Sequence, residues 1–351
     1  MSWVLTLGAG KDQLALIKAI HAEDHKIVGV DSRPDAEGVD LCDVFRPISN
    51  RDTELILDFA RWCDVQAVMV AGSEVADVGA VLALKLGLTG IPVATAFACK
   101  DKLIQKQILM AAGVPCTVPH TIYEGAAKAT FDELKWHVVV KPRRGSGSKG
   151  VSYVDNPMEL PLAIRAAEAI WPDVLAERYE PGPQLSVESL VWDESYMPDM
   201  LRSGFATPCV VDRWYPSGRP NFKEVGGSWP SEHDTPEIHD LMRMVARALG
   251  IHSGTLKADV VVTPEGPKII ECTPRLSGGP LASFARDGAG IDYLRAAVRI
   301  ALGESPRLEM KTREKRIARL MDGTDVPWEE REKYLGQWAH TTHSTSTATK
   351  S

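Results

Sequence analysis

Asp259 and Glu271 are acids placed where one divalent cation could hold both. Asp259 opens the β-branched run Val260-Val261-Val262, a turn cluster follows (Thr263-Pro264-Glu265-Gly266-Pro267), and a second apolar run, Ile269-Ile270, ends at Glu271. Two short β-rich runs around a Pro/Gly turn predict a hairpin. Pairing Val262 with Lys268 across the turn sets Asp259 opposite Glu271, with Cβ atoms about 5 Å apart on one face. Like charges so placed destabilise a sheet, and a bound cation would offset that. Hard Mg²⁺ suits one or two carboxylates completed by phosphate oxygens. Taken alone, the hairpin is equally compatible with two acids on a wet face.

The second chemical feature is the run Val139-Val140-Lys141-Pro142-Arg143-Arg144-Gly145-Ser146-Gly147-Ser148-Lys149-Gly150-Val151. A glycine-rich tip between two strands exposes backbone N–H groups and lets the main chain approach phosphates. Lys141, at a strand end, could place its ammonium on an α- or β-phosphate. No G-x-x-x-x-G-K-[ST] precedes a helix, so this is not a Walker loop. A flexible basic hairpin is the plain alternative.

Both features need a scaffold, and 351 residues allow two or three domains. Apolar content of 44% and charged content of 25% are those of a globular protein. The net charge of −7 argues against a nucleic-acid surface, and no apolar run is long enough to span a membrane. Six scattered cysteines, without a C-x-x-C pair, suggest reduced thiols in the cytoplasm. Residues 1–95 alternate strand and helix signals: Trp3–Leu7, Ile27–Val30, Val44–Pro47 and Ala67–Val70 as strands, with helices between. This predicts a parallel sheet covered by helices. Gly8-x-Gly10 after the first strand and Asp31 at the end of the second suggest a dinucleotide site. Gln13, however, replaces the third glycine of G-x-G-x-x-G, and a tight strand-to-helix turn explains the other two. Helices are expected at Lys102–Ala112, closed by Gly113, and at Glu159–Ile170 and Glu237–Leu249; a strand is expected at Val174–Tyr179.

The phosphate loop and acidic hairpin together resemble the ATP-grasp superfamily, over roughly residues 1–305. The likeness is to the carboxylate–amine (including L-amino acid) ligases and to the biotin carboxylase, carbamoyl phosphate synthetase and purine-biosynthetic branches. It implies α/β and α+β architecture: a Rossmann-like pre-ATP-grasp domain (1–97), an N-terminal grasp subdomain with the glycine-rich lid (98–178), and a C-terminal subdomain with the Mg²⁺ site (179–305). A charged tail (306–351) would follow, its last dozen residues disordered. By the resemblance, Lys102 and Lys141 are the ATP-binding lysines and Gly145, Ser146, Gly147, Ser148 and Gly150 form the lid. Glu177 would be the hinge acid beside adenine, with the backbone of Arg178 and Tyr179 reading the base edge. Gln184 occupies the place of a ribose-binding glutamate. Asp259 and Glu271 fit the metal acids, and Thr273 stands where an asparagine ligand is usual. Arg275 would neutralise the transferring phosphoryl group, with Lys141 assisting, and Ser277, Gly278 and Gly279 would offer donors to a carboxylate.

The implied cofactors are ATP and Mg²⁺, with Mn²⁺ as a substitute. The implied partners are a small carboxylate, such as an amino acid, and an amine, in a cytoplasmic homodimer that binds neither nucleic acid nor membrane. A carboxylate attacking the γ-phosphate would give an acyl phosphate, and the amine would then form an amide. Lys257, two residues before Asp259, would bind phosphate or an acidic substrate, or be solvated. Glu74, Arg202, Arg213 and Glu224 are further candidates for the substrate pocket. Cys272 and His252 read as structural. Alternatives to the ligase are a bicarbonate-activating carboxylase or carbamoyl-phosphate-type enzyme, a small-molecule kinase, and an inactive nucleotide-binding regulator; Gln184 and Thr273 favour the last.

Overall fold

The computed structural model describes residues 1–122, 137–193, 203–216, 219–220, 222–308 and 315–334. Arg202 and the end of the tail lie outside them. The chain opens with β1 (Trp3–Leu7), α1 (Leu14–Ala22), β2 (Lys26–Val30), β3 (Val44–Arg46), α2 (Thr53–Trp62), β4 (Ala67–Met69), α3 (Ala76–Leu86) and α4 (Val93–Cys99). Its four strands form a parallel sheet in the order β3-β2-β1-β4, as the alternation predicts. Both faces of that sheet are covered, which is why its strands read as continuous apolar runs. Leu5, Leu7, Val28 and Val30 pack with Ile56, Phe59, Val78 and Leu82 of α2 and α3.

Next come α5 (Lys102–Ala111), β5 (Pro119–Ile122), β6 (Val138–Pro142), β7 (Ser152–Val154), α6 (Leu160–Glu168) and β8 (Val174–Arg178). These strands make an antiparallel sheet ordered β5-β8-β6-β7, with α6 covering one face. The remaining strands are β9 (Gln184–Asp193), β10 (Ser203–Trp214), β11 (Gly226–Trp229), β12 (Gly254–Thr263), β13 (Gly266–Thr273) and β14 (Ile317–Leu320). They form a six-stranded antiparallel sheet, β13-β12-β9-β10-β11-β14. Against it lies α7 (Pro236–Ala248), whose Ile238, Leu241, Met242, Val245 and Ala246 make the buried stripe of an amphipathic helix.

Two features depart from the expected layout. Ile317–Leu320, inside the expected tail, pairs with β11 and completes the large sheet. The helices α8 (Leu281–Ala289) and α9 (Tyr293–Ala301) belong to the expected C-terminal subdomain. Yet they share one apolar core with Val4, Ile27, Ala67 and α1 of the first sheet.

Candidate active site

The acidic hairpin forms as expected, but by a different register. Val262 pairs with Pro267 and Val261 with Lys268, one step from the expected pairing. An irregularity after Asp259 takes up Ile270, and Asp259 then faces Glu271. A β-bulge inserts one unpaired residue and so restores the pairing that the turn displaced. Beyond it, Cys272 pairs with Ala258 and is buried, while Thr273 pairs with Lys257 on the face of Glu271. Two carboxylates and a hydroxyl thus share one face, an all-oxygen donor set of the kind Mg²⁺ takes. Among the described residues no group of three or more His, Cys, Asp or Glu side chains could hold a metal. Phosphate oxygens and water would therefore complete the coordination.

Cations crowd this face. Arg213 Nη1 lies 2.8 Å from Asp259 Oδ2 and its Nη2 2.9 Å from Glu224. Lys257 pairs with the other Asp259 oxygen. Lys102 Nζ is 3.4 Å from Glu271 Oε2 and donates to the Gly145 carbonyl at 2.7 Å. Burial pushes the Glu271 carboxyl up, but Lys102, Lys257, Lys141 and Arg213 outweigh it and hold it at about 2. Burial works against the Arg213 charge too, and Asp259 and Glu224 more than reverse it.

Asp101 positions Lys102. It caps α5 by accepting from Leu103 and Ile104 amides, and it pairs with Arg143 at 2.7 Å and Arg144 at 3.2 Å. The start of the glycine-rich hairpin is thereby tied to the helix bearing Lys102. Within the hairpin Gly145, Gly147 and Gly150 all have positive φ, and a Cβ at Gly150 would lie 2.8 Å from the Ala166 carbonyl. Ser148 reaches across to the Phe222 carbonyl at 2.7 Å, so the tip bridges toward the large sheet.

Lys141, at the end of β6, pairs with Glu177 of β8 at 2.7 Å. Behind them is a residue that the sequence reading passed over. Lys106, fully buried one helical turn after Lys102, donates to the Thr117 and Ile269 carbonyls at 2.9 and 3.1 Å and lies 3.7 Å from Glu177. Burial lowers Lys106 to about 8, against the pull of Glu177. Glu177 itself is held below the usual carboxylate range: burial raises it, but Lys106 and Lys141 prevail. Two lysines four apart on one helix repel each other unless acids take them up, and that spacing was the available signal.

Lys102, Lys141, Gly145 to Ser148, Glu177, Arg178, Tyr179, Gln184, Asp259 and Glu271 all line one cleft between the two antiparallel sheets. Gln184 is buried and accepts from the Tyr215 hydroxyl at 2.8 Å. Of the backbone groups of Arg178 and Tyr179 expected to read the base edge, the Tyr179 N–H donates to the His137 carbonyl at 2.8 Å. A neighbouring chamber of about 520 Å³ holds Glu74, Lys257, Thr273 and Arg275 with the acidic pair. Arg275 pairs with Glu74, which comes from the first sheet's loop.

The cradle expected from Ser277, Gly278 and Gly279 is also narrower than supposed. The Ser277 amide donates to Glu188 Oε1 at 3.0 Å. Gly278 meets Gly72 so closely that a Cβ on it would lie 2.7 Å from the Gly72 Cα. Leu276 is bonded through its backbone to the segment that follows β4 (Leu276 N to Val70 O, 3.2 Å; Gly72 N to Leu276 O, 3.1 Å). The dinucleotide signature is closed by its own irregularity. The Gln13 side chain accepts from the Gly10 amide at 3.0 Å and donates to Ala71 at 2.6 Å, filling the space beside Gly8.

D-alanine–D-alanine ligase of Gloeobacter violaceus is 29% identical over 236 residues, covering 62% of this chain and 73% of that protein. Carnosine synthase 1 of Gallus gallus is 27% identical over 333 residues, covering 87% of this chain but 36% of its own length. The chain also spans 47% of an uncharacterized Sinorhizobium fredii protein at 26% identity, so it matches only about half or less of some longer relatives. The crystal structure of L-amino acid ligase from Bacillus licheniformis superposes with a TM-score of 0.70 at 22% identity, over 86% of this chain and 74% of that one. At that identity the likeness is one of fold. The profile of the ATP-grasp domain matches residues 99–279, just over half the chain. Those residues include Lys102, Lys141, the glycine-rich hairpin, Glu177 and the acidic hairpin, and the chain belongs to the ATP-grasp domain family.

Proposed function

We propose that the protein is an ADP-forming carboxylate–amine ligase using ATP and Mg²⁺. The observation that carries this reading is the Asp259–Glu271 pair, facing across the hairpin and ringed by Lys102, Lys257 and Arg213. A carboxylate and a triphosphate repel each other, and a positively charged wall lets them approach. In this reading Asp259 and Glu271, with Thr273 beside them, hold Mg²⁺, which draws charge from the phosphate oxygens when bound. Mn²⁺ would serve at the same oxygens. Lys102 and Lys141 orient the phosphates, and the hairpin from Gly145 to Gly150 covers them. Arg275, steadied by Glu74, faces the carboxylate. The acyl phosphate is open to hydrolysis, so a covered cleft protects it from water.

The named ligases among the relatives support this class of reaction, with a small carboxylate and an amine as substrates. All six cysteines are free, which suits a reducing cytoplasm, and among the described residues no helix is long and apolar enough to cross a membrane. The test is Glu271→Ala. It should abolish Mg²⁺-dependent ADP formation while the circular dichroism spectrum is retained; unchanged turnover would overturn the metal assignment.

A further inference from the structure

Glu224, Lys257 and Arg275 border two chambers and form the partition between them. On the nucleotide side lie the glycine-rich hairpin and Glu271. On the far side is a second cavity of about 170 Å³, ample for a group much larger than water. No residue of the phosphate hairpin borders it. Its wall is apolar: Val211, Leu281, Phe284 and Met321, with Gly226 and Gly227 contributing bare backbone. Its polar lining is Ser186, Glu224, Lys257, Arg275 and Ser277, so it carries an acid beside the two cations.

That polar lining is unusual in its hydrogen bonding. Arg275 Nε, on the wall of this chamber, is buried and has no hydrogen-bond partner. A buried donor left unpaired is rare in folded proteins, and on the wall of a cavity it suits a polar ligand. Glu188 is fully buried on β9, where it pairs with Lys257 of β12, and its other oxygen holds the Ser277 amide. Met321 closes the opposite side: its amide is fixed to the Val225 carbonyl at 3.0 Å, and its methyl lies over Gly279. At 44% exposure it is an apolar side chain without full cover.

We propose that this second chamber receives the amine substrate, and that the amine carries an apolar side group of about leucine size seated against Phe284 and Met321. The inference rests on the ligase reading. The carboxylate must meet the γ-phosphate on the nucleotide side, so the amine approaches the acyl carbon from across the partition. There the amine lone pair forms the C–N bond and the C–O bond to phosphate breaks. The nitrogen proton leaves with the phosphate, giving amide and hydrogen phosphate. Met321 is then a specificity residue contributed by the chain beyond residue 305.

Amino-acid amides test this directly, because they present an amine but no carboxylate. Calorimetry on the full chain with Mg·ADP should show leucinamide binding at least tenfold tighter than glycinamide, as burial of a leucine-sized group implies. Met321→Trp, which fills the chamber, should weaken leucinamide at least tenfold and leave glycinamide and Mg·ADP within twofold. Met321→Ala, which enlarges it, should shift the preference at least threefold toward phenylalaninamide. Equal binding of glycinamide and leucinamide, or selectivity untouched by both variants, overturns the inference while Mg·ADP binding leaves the ligase reading standing. Failure of Mg·ADP to bind overturns both.

Discussion

Arg213 lies 2.8 Å from Asp259 and on the same side as Lys257, so an acid assigned to Mg²⁺ is shared with a buried guanidinium. Removing one member of such a pair leaves an uncompensated charge. Arg213→Met should therefore destabilise the metal-free protein by about 3–5 kcal/mol. Because the metal would replace the missing cation, Mg·ADP should raise the melting temperature more in the variant than in the parent. Thermal melts with and without Mg·ADP check both; an unchanged increment would count against metal at Asp259.

Glu188 gives a pH signature. Burial raises its carboxyl to about 7, with Ser277 and Lys257 only partly offsetting the effect. The folded protein thus binds this proton more tightly than the unfolded chain does. Stability from this group is full below the ordinary glutamate range, near pH 4.5, and is lost as pH rises to about 7. Glu188→Gln keeps an oxygen for the Ser277 amide and removes the charge. It should flatten that fall and stabilise the protein at pH 8 by a few kcal/mol, about 1.4 per pKa unit. Denaturant melts from pH 5 to 8 measure the slope.

Lys106 holds Glu177, which holds Lys141. Lys106→Met should cost about 3–5 kcal/mol of stability and raise KM for ATP by more than it lowers kcat. Steady-state kinetics at a temperature where the variant is folded separates this from general damage. A fall in kcat alone would show that Lys106 does not act through the nucleotide site.

Gln13 serves as a control. Its amide satisfies the Gly10 N–H and the Ala71 carbonyl in the first sheet's opening turn. Gln13→Ala leaves those buried groups unpaired, at about 1–3 kcal/mol, and should leave KM for ATP unchanged. A changed KM would link that turn to the nucleotide cleft.

Much of this arrangement was legible in the sequence, for reasons that differ by residue. The parallel sheet showed in its βαβ alternation, and the acidic pair in its spacing around a Pro/Gly turn. The hairpin register was not legible, since the bulge at Ile270 arises from a turn one residue tighter than expected. Lys106 was hidden because a lysine on a helix ordinarily reads as solvated. Glu188 was hidden because β9 alone does not reveal its neighbours, although Gln184, Ser186 and Glu188 alternate along one face. The β14 run Ile317–Leu320 is too short and too charged in context to announce a sheet edge. Ser277 looked like a substrate donor because the loop's sequence does not show that Glu188 takes its amide.

The central claim is phosphorylation of a carboxylate, and oxygen transfer tests it most directly. The protein would be incubated with ATP, Mg²⁺, hydroxylamine and each amino acid in turn, with the amino acid carboxyl labelled with ¹⁸O. The account predicts that at least one of them yields ADP, a hydroxamate and phosphate carrying one ¹⁸O from the carboxyl group. Unlabelled phosphate accompanying the hydroxamate, or AMP in place of ADP, would contradict it.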